Sequence, residues 1–366
     1  MLKVRMRMRP SSRARSHHQG HCTVFPTGYR CKFASLLILC TILTYYLYPE
    51  WSWGSPVHHK GENETVVLVW HWPFHIPVEP NPGVCSHFGI HNCLLVDDRS
   101  WFSYADFVVF HNRELVIGEE RLPRRRRPRN QRWVWLTLES PDNNGNLWPF
   151  AGYFNAIMSY SRNADFYLPY GRLVPRDKAT ALAVDDFVPK NKSSLACWVV
   201  SNYREEHRRT SVYRQLAAVL PVEVYGSASG RLLSSDDLLP TMSRCYFYLS
   251  FENSMHKDYI TEKFWKNALL GQAVPVVLGP RREEYEAVVP KDSFIHVDDF
   301  DSVEKLGEFL IELSKDEQRY ASYYAWHLNY TVDIFDDWQE EFCKICPQAS
   351  SLPQKVYANL DLWEIS

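Results

Sequence analysis

Short apolar runs alternate with helix-like segments along most of this chain, and that alternation constrains its fold more than any other feature of the sequence. The first three runs are VVLVWHW at 66–72, ADFVVFH at 105–111 and WVWLTLES at 133–140. Each is short and apolar, as expected of a buried strand. Strands that alternate with helices form parallel sheets, because a parallel return needs a long crossover connection.

A second series of apolar runs follows residue 196. Its members are CWVVSN at 197–202, VEVYG at 222–226, CYFYLSFEN at 245–253, AVPVVLG at 273–279 and SFIHVDD at 293–299. Helices are predicted at 205–219 and 261–270, and the earlier segment FNAIMSY at 154–160 is also predicted to be a helix. Two such series predict an α/β protein with two domains, each built on a parallel sheet.

The predicted boundary between the two domains lies in a stretch from Pro169 to Lys192 that is rich in Pro, Gly, Asp and Ser. Such a composition is typical of a connecting segment. We therefore assign residues 65–175 to the first domain and residues 176–366 to the second. The second assignment includes the helices predicted near the C-terminus.

The N-terminal region has the pattern of a membrane anchor. Residues 1–32 contain eight basic residues and no acidic residue, and residues 33–48 (FASLLILCTILTYYLY) carry no charge. A basic flank before a short apolar run predicts a type II signal anchor with a cytosolic tail. Residues 49–64 would then form a lumenal stem. A mitochondrial transit peptide is the alternative, because the start of the chain is also rich in Arg and Ser.

Glycosylation motifs and cysteines favour a lumenal location over a mitochondrial one. Three N-glycosylation sequons begin at Asn63, Asn191 and Asn329. In an oxidising lumen, two sequence-local pairs predict short disulfide loops, Cys85 with Cys93 and Cys343 with Cys346. The second pair is a C-x-x-C, for which a redox or zinc site is the alternative. Cys197 and Cys245 lie in strand-like runs and are predicted to be buried thiols. A lumenal location excludes nucleic acid as a partner.

Residues 251–280 carry the strongest candidate for a binding site. The segment reads FENSMHKDYITEKFWKNALLGQAVPVVLGP, in which a strand is followed by a loop and a helix. Lys263 lies in the predicted first helical turn, where free amides and a positive charge favour a diphosphate. The Glu262 carboxylate in the same turn is suited to accept hydrogen bonds from the hydroxyls of a ribose. A solvated helix start is the commoner explanation of this spacing alone.

The part of this segment that reads FENS … DYITEK resembles the donor-site signature of the α-1,3-fucosyltransferases, and six blocks, one of them at the end of the same segment, resemble that family in the same order. They are VLVWHWPF (67–74), WVWLTLESP (133–141), YLPYGRL (167–173), VVSNYREEHRR (199–209), VPVVLGP (274–280) and FIHVDDF (294–300). The resemblance implies a GT-B-like fold, in which two Rossmann-like domains face a cleft. It also implies GDP-β-L-fucose as the donor substrate, with no required cofactor and no metal ligand set. Stimulation by manganese or magnesium is left open.

The resemblance implies a role for each matching residue. Five of them are expected on the donor side: Arg209 and Lys263 at the pyrophosphate, Tyr259 with them, Glu262 at the ribose and Asn253 beside the donor. Glu139 corresponds to the catalytic base of an inverting transfer. Without the family match, an N-cap or a structural carboxylate is the commoner explanation of Glu139.

The block FHNREL implies the acceptor. His111 and Arg113 are expected on the acceptor side, and Arg113 stands where relatives acting on type 1 chains tend to have Trp. We therefore expect a Golgi membrane α-1,3-fucosyltransferase for type 2 N-acetyllactosamine on glycoproteins and glycolipids. The WHWPF block most resembles members that make sialyl-Lewis x. The alternatives are a neutral acceptor, the core GlcNAc of N-glycans, or a glycan-binding protein without activity. Asn112 departs from the family, which more often has His there.

Overall fold

Two parallel sheets organise this computed structural model, which describes residues 58–365 except 59, 77, 79, 80, 82 and 178–181. The described residues belong to one compact unit that begins at His58. The predictions for residues 1–32 and 33–48, and most of the predicted stem, lie outside the described residues. Within the described part of the chain, no helix has both the length and the apolar character needed to cross a bilayer.

The first sheet has six parallel strands in the order β2-β1-β3-β4-β5-β6. They are β1 Thr65–Val69, β2 Cys93–Val96, β3 Phe107–His111, β4 Arg132–Thr137, β5 Ala156–Ser159 and β6 Phe166–Tyr167. The strands predicted around 66–72, 105–111 and 133–140 are confirmed. The helix predicted at 154–160 is wrong, because β5 pairs on both edges and all four of its residues are buried. Periodicity cannot separate so short an apolar run from a buried helix.

The second sheet has five parallel strands in the order β12-β11-β10-β8-β9. They are β8 Ser194–Val199, β9 Val222–Tyr225, β10 Cys245–Phe251, β11 Val274–Leu278 and β12 Ile295–His296. Two more strands, β7 Gly171–Pro175 and β13 Tyr330–Ile334, form an antiparallel pair. Through this pair the chain leaves the first sheet and later returns to it.

Short helices connect the strands. The helices are α1 Val84–His87, α2 Asn112–Val116, α3 Arg208–Ala217, α4 Ser235–Ser243, α5 Lys263–Leu270, α6 Arg282–Glu286, α7 Val303–Leu313, α8 Glu317–Ser322, α9 Trp338–Cys343, α10 Ile345–Gln348 and α11 Leu360–Ile365. Helix α5 has π-helical hydrogen bonding. Single 3₁₀ turns lie at Pro73–His75, Arg99–Ser103, Pro141–Asn143, Trp148–Phe150, Val184–Asp186, Val297–Asp299 and Ala325–Leu328.

The strand order reverses once in each sheet, and this reversal locates the candidate site. β2 and β3 lie on opposite sides of β1, and β9 and β10 lie on opposite sides of β8. In doubly wound folds, ligands bind beyond the carboxyl ends of strands at such a switch point. The residues that follow β1, β3, β8 and β10 are therefore expected to line a ligand site.

The C-terminal segment packs on the first sheet, which corrects the expected domain assignment. Phe342 and Ile345 share an apolar core with Val67 of β1, and Leu360 shares another with Trp135 of β4. Residues 338–365 thus belong with the first sheet, although we expected the whole of 176–366 in the second domain. The sequence carries no signal for this return, because helices of this kind fit the apolar face of either sheet.

Three disulfides correct the expected cysteine pairing. The bonds are Cys85–Cys343, Cys93–Cys346 and Cys197–Cys245. The predicted short loops, Cys85 with Cys93 and Cys343 with Cys346, are wrong, because the returning helix α9 lies against α1 and β2. The predicted thiols Cys197 and Cys245 are bonded to each other, because β8 and β10 are neighbours in the second sheet.

Candidate active site

We call the first sheet with the returning segment 338–365 the first half of the molecule, and the second sheet with its connecting helices the second half; the space between them is the cleft. Glu139 lies two residues beyond the carboxyl end of β4, where the two halves meet. Its backbone N–H donates to Thr137 Oγ1 (3.2 Å), and its carbonyl accepts a hydrogen bond from Asn144 Nδ2 (3.3 Å). Burial raises the pKa of the Glu139 carboxyl, and the positive charge of Lys263 in the other half opposes that shift. A half-buried carboxyl with a raised pKa is suited to accept a proton.

A buried amide network fixes the loop that carries Glu139. Asn112 donates from Nδ2 to the carbonyl (3.0 Å) and to Oδ1 (3.1 Å) of Asn144. Asn112 Oδ1 accepts a hydrogen bond from the indole of Trp135 (3.0 Å), and Thr137 Oγ1 donates to Asn144 Oδ1 (2.5 Å). Asn112, the residue that departs from the family pattern, therefore connects the end of β3 with the Glu139 loop.

His111 and Arg113 lie on the same side of the cleft as Glu139. His111 ends β3 and is buried, whereas the Arg113 side chain is 47% exposed. Both residues lie close enough to Glu139 for a positive charge on either of them to lower the pKa of its carboxyl. Glu114 is fully buried behind them, with Oε2 2.5 Å from His111 Nδ1. The two predicted acceptor-side residues and the predicted base are thus brought together.

On the opposite side, Lys263 lies between two carboxylates. Its Nζ is 3.2 Å from Glu252 Oε2 and 3.1 Å from Glu262 Oε1, and it donates to Thr261 Oγ1 (2.9 Å). Glu252 is fully buried and also accepts hydrogen bonds from the backbone N–H (2.8 Å) and the hydroxyl of Thr261. Although burial alone would lower the pKa of Lys263, the charges of Glu252 and Glu262 outweigh it and raise that pKa. The lysine is therefore a permanent cation at the start of α5.

Arg209 and Asn253 each have a buried polar atom for which the described residues supply no hydrogen-bond partner. Arg209 in α3 is 3% exposed and donates from Nη2 to the carbonyl of Asn202, which follows β8. Within the described part of the chain, neither Arg209 Nε nor Asn253 Oδ1 has a hydrogen-bond partner. Buried polar groups are rarely left in this state except at functional sites. Both residues follow the switch-point strands of the second sheet.

Tyr259 lies at the junction of the two halves. Its ring centroid is 5.0 Å from that of Tyr160 and 6.4 Å from that of Tyr170. Burial raises the pKa of Tyr259, so its hydroxyl stays protonated at neutral pH. Tyr170 donates from its hydroxyl to the carbonyl of Leu138, next to Glu139. This tyrosine cluster therefore joins the loop of the predicted base to the loop of the predicted donor site.

Polar contacts between the halves surround the cleft. Ser140 Oγ donates to Ser254 Oγ (2.8 Å), and Arg162 Nε donates to Asp258 Oδ1 (2.5 Å). A cavity of about 220 Å³ opens beside Glu139, with lining residues that include His256 and Trp363. Because both halves line it, this space is open to a molecule that contacts both of them.

The three sequon asparagines Asn63, Asn191 and Asn329 are all exposed. Each is therefore sterically accessible to a glycan. Their modification remains a prediction.

Comparison with known proteins agrees with this geometry. A family model described as "Fucosyltransferase, N-terminal" matches residues 62–171, and one described as "Glycosyltransferase family 10 (fucosyltransferase) C-term" matches residues 189–363. The chain belongs to the family 10 fucosyltransferases. The two matched regions of this fucosyltransferase contain its first and second sheets, respectively. The resemblance inferred from the sequence blocks is thereby confirmed.

Relatives of this fucosyltransferase extend over most of its length. It is 47% identical over 317 residues to alpha-(1,3)-fucosyltransferase 7 of Mus musculus, covering 86% of this chain and 79% of the relative. It is 39% identical over 347 residues to 4-galactosyl-N-acetylglucosaminide 3-alpha-L-fucosyltransferase 9 of Bos taurus, covering 90% and 95% of the two chains. A crystal structure of an alpha1,3-fucosyltransferase with GDP-fucose has a TM-score of 0.53 at 18% identity, covering 84% and 95%. The GT-B-like fold is shared with it.

Sequence reasoning missed three polar residues of the fucosyltransferase cleft. Glu252, which holds Lys263, lies at the end of the predicted strand 245–253 and within the FENS block, and these two positions were its signal. Glu114 stands three residues after His111, a spacing that brings two side chains together on one helical turn. Tyr170 lies in the predicted connecting segment, where no periodic signal exists.

Proposed function

We propose that this fucosyltransferase transfers L-fucose from GDP-β-L-fucose to O3 of GlcNAc in sialylated type 2 N-acetyllactosamine. The product would be α-linked, so the reaction would invert the anomeric carbon in a single displacement. The observation that carries the proposal is the half-buried Glu139 carboxyl at a cleft whose opposite side holds a half-buried lysine, Lys263, and a buried arginine, Arg209.

Glu139 would act as the base. As O3 of GlcNAc attacks the anomeric carbon from the face opposite GDP, the Glu139 carboxylate takes the hydroxyl proton. The bond to the diphosphate breaks as the bond to O3 forms, and GDP leaves with the electron pair. Burial keeps the carboxylate away from bulk water and strengthens it as a proton acceptor. The Asn144 bond to the Glu139 carbonyl holds the loop during the step.

Lys263 and Arg209 would stabilise the departing diphosphate. Both side chains are positively charged at neutral pH, and the contact of Lys263 with the buried Glu252 holds its cation in place before negative charge develops on the leaving group. No described residue accepts a hydrogen bond from Arg209 Nε, so a phosphate oxygen can accept it. The half-exposed Glu262 carboxylate is suited to accept hydrogen bonds from the ribose hydroxyls, and Tyr259 and Asn253 would lie beside the donor.

Support for the acceptor comes from the relatives and from one residue. The mouse relative at 47% identity carries the name alpha-(1,3)-fucosyltransferase 7, and the name of the bovine relative specifies a 4-galactosyl-N-acetylglucosaminide acceptor. The exposed Arg113 provides a cation near the base for a negatively charged acceptor. A Golgi location with a lumenal catalytic unit is part of the proposal. Its support is the predicted anchor at 33–48, the exposed sequons and the three disulfides.

The test uses the full-length chain purified in detergent and GDP-fucose labelled in the sugar. Two acceptors are assayed in parallel, α2,3-sialylated N-acetyllactosamine and the same glycan without sialic acid. We expect kcat/KM to be at least about tenfold higher for the sialylated acceptor, a difference of about 1.4 kcal/mol. The linkage and anomeric configuration of the product are read by NMR spectroscopy.

Each outcome bears on a different part of the proposal. Transfer to neither acceptor, nor to the core GlcNAc of an N-glycan, would contradict the activity as a whole. Equal kcat/KM values would contradict the sialylated acceptor and favour a neutral one. A β-linked product would contradict the single displacement by Glu139.

A further inference from the structure

Glu114 is a fully buried carboxylate that contacts its neighbours His111 and Arg113 and the distant turn at Phe74. Its Oε2 accepts a hydrogen bond from His111 Nδ1 (2.5 Å), and its Oε1 accepts one from the backbone N–H of Phe74 (3.0 Å). Arg113 Nη1 is 3.6 Å from Oε1. Burial alone would raise the pKa of Glu114, but the hydrogen bond and charge of His111 outweigh it and bring that pKa to about 2. The group is therefore a carboxylate throughout the physiological range.

A hydrogen bond to this carboxylate stabilises the turn after β1. Phe74 and His75 have φ values of 57° and 50°, a left-handed conformation that residues with side chains rarely adopt in succession. Such a conformation persists where surrounding contacts over-determine it. The bond from the Phe74 N–H to Glu114 is one such contact. The turn leaves the Phe74 ring 51% exposed, at an edge contact of 5.0 Å with His111 and 5.7 Å below the Arg113 guanidinium.

The same carboxylate fixes the imidazole of His111. His111 Nδ1 must carry a proton in order to donate to Glu114, which leaves Nε2 as its second functional atom. The His111 carbonyl in turn accepts a hydrogen bond from His71 Nε2 (3.0 Å). Burial lowers the pKa of His71, so that residue is neutral and serves as a hydrogen-bond donor. His111 is thus held at both its backbone and its side chain.

We propose that Glu114 is the positioning residue of the acceptor side, because it sets the orientation of His111, Arg113 and the Phe74 ring together. Phe74 and Arg113 form one exposed surface over the buried His111 ring, with an aromatic face for the apolar side of a sugar ring and a cation for a carboxylate. Exposed aromatic faces and guanidinium groups are suited to such ligands. Glu114 itself touches no substrate. The inference rests on the proposed function and adds how the acceptor is held.

The test compares Glu114→Gln with Asp165→Asn in the full-length chain. Gln keeps the shape of the side chain but cannot accept from both His111 Nδ1 and the Phe74 N–H, so one of the two bonds is lost. Asp165 is the matched control, because it is also buried and accepts hydrogen bonds from Tyr357 (2.7 Å) and the N–H of Ile157 (2.9 Å), away from Glu139. The readouts are KM for acceptor, KM for GDP-fucose, and hydrolysis of GDP-fucose without acceptor.

We expect Glu114→Gln to raise acceptor KM by about tenfold while donor KM and donor hydrolysis stay within about twofold of wild type. Asp165→Asn should change none of the three. Phe74→Ala should also raise acceptor KM, and the double variant should raise it by less than the product of the two single effects, because both changes disrupt one surface.

A parallel change of donor KM and acceptor KM would overturn the inference, since it would mean that Glu114 only supports the fold. An acceptor KM equal to that of wild type would overturn it as well. Wild-type chain that transfers no fucose to any acceptor would instead contradict the proposed function. The two failures are therefore distinguishable.

Discussion

The two sides of the cleft are built with opposite charge at their centres. On the first-sheet side a carboxylate, Glu114, lies between His111 and a backbone N–H. On the second-sheet side an ammonium group, Lys263, lies between Glu252 and Glu262. Glu114 and Lys263 each hold the groups around them in place. Lys263 is also suited to contact a diphosphate itself. A buried charge can therefore serve a site either by touching the ligand or by orienting other groups that do.

The two halves also differ in which segments of the chain build them and in how far apart their disulfide-bonded cysteines are in sequence. The second sheet is built from the continuous segment 194–296, and its disulfide joins cysteines 48 residues apart. The first sheet needs the returning segment 338–365, and its two disulfides span 258 and 253 residues. Because long loops lose the most entropy on closure, the first half should depend more on its disulfides.

Removing both disulfides of the first half should have the largest effect. The chain-entropy relation gives a loss of about 8 kcal/mol for the pair and about 4 kcal/mol for Cys197–Cys245. Either long-range bond alone should cost only about 3 kcal/mol, because the remaining bond still closes the long loop. Cys→Ala variants are compared by the free energy of unfolding in guanidinium chloride. Equal losses for the single and the double removal would contradict this account of the first half.

Lys263→Met should destabilise the second half and weaken donor binding together. It leaves the buried Glu252 carboxylate without its cation, which we expect to cost about 3 kcal/mol in the free energy of unfolding. Adding Glu252→Gln should recover most of that stability, because Thr261 can still donate to the amide oxygen. The affinity for GDP, measured by calorimetry, should stay low in the double variant. Recovery of both quantities would mean that Lys263 does not contact the donor.

Glu139→Gln should lower kcat by about 10²-fold or more, a barrier increase of about 2.7 kcal/mol, with GDP affinity unchanged. The amide keeps the shape of the side chain but cannot take the acceptor proton. Its matched control is Glu223→Gln, which changes a carboxylate bonded to Ser194 and Tyr225 in the second sheet. Turnover close to that of wild type in Glu139→Gln would remove Glu139 from the mechanism.

The smallest expected effect is a shift in the pH profile. Since burial raises the pKa of Glu139, kcat/KM should fall on the acid side at a pH above the ordinary range of a glutamate, where the base becomes protonated. The charge of Arg113 lowers that pKa, so Arg113→Gln should move the acid limb to higher pH. A limb that moves to lower pH, or does not move, would show that Arg113 does not act on the base.

The contrast between the halves also explains what the sequence could predict. Asn253, Tyr259, Glu262 and Lys263 lie within eleven residues, so one contiguous motif identified most of the second side. The strands were predictable because parallel strands buried on both faces are continuous apolar runs. The arrangement of Phe74, His111 and Glu139 was not, since it depends on which strands become neighbours.

Two further features were beyond prediction for the same reason. The disulfide partners of Cys85 and Cys93 depend on where the C-terminal helices pack, and the local sequence does not predict that packing. The left-handed turn at Phe74 has no Gly or Asn to signal it, because a distant carboxylate stabilises it instead. Long-range contacts decide both features, whereas composition and periodicity report local ones.

The return of the C-terminal segment also sets the order in which this protein can be completed during translation. Cys343 is made 258 residues after Cys85, which at about 5–20 residues per second is a wait of roughly 10–50 s. Throughout that interval the first sheet lacks its last helices, and the thiols of Cys85 and Cys93 have only each other nearby in sequence. The second sheet is finished by then. The last part of the chain to be synthesised therefore completes the half that was begun first.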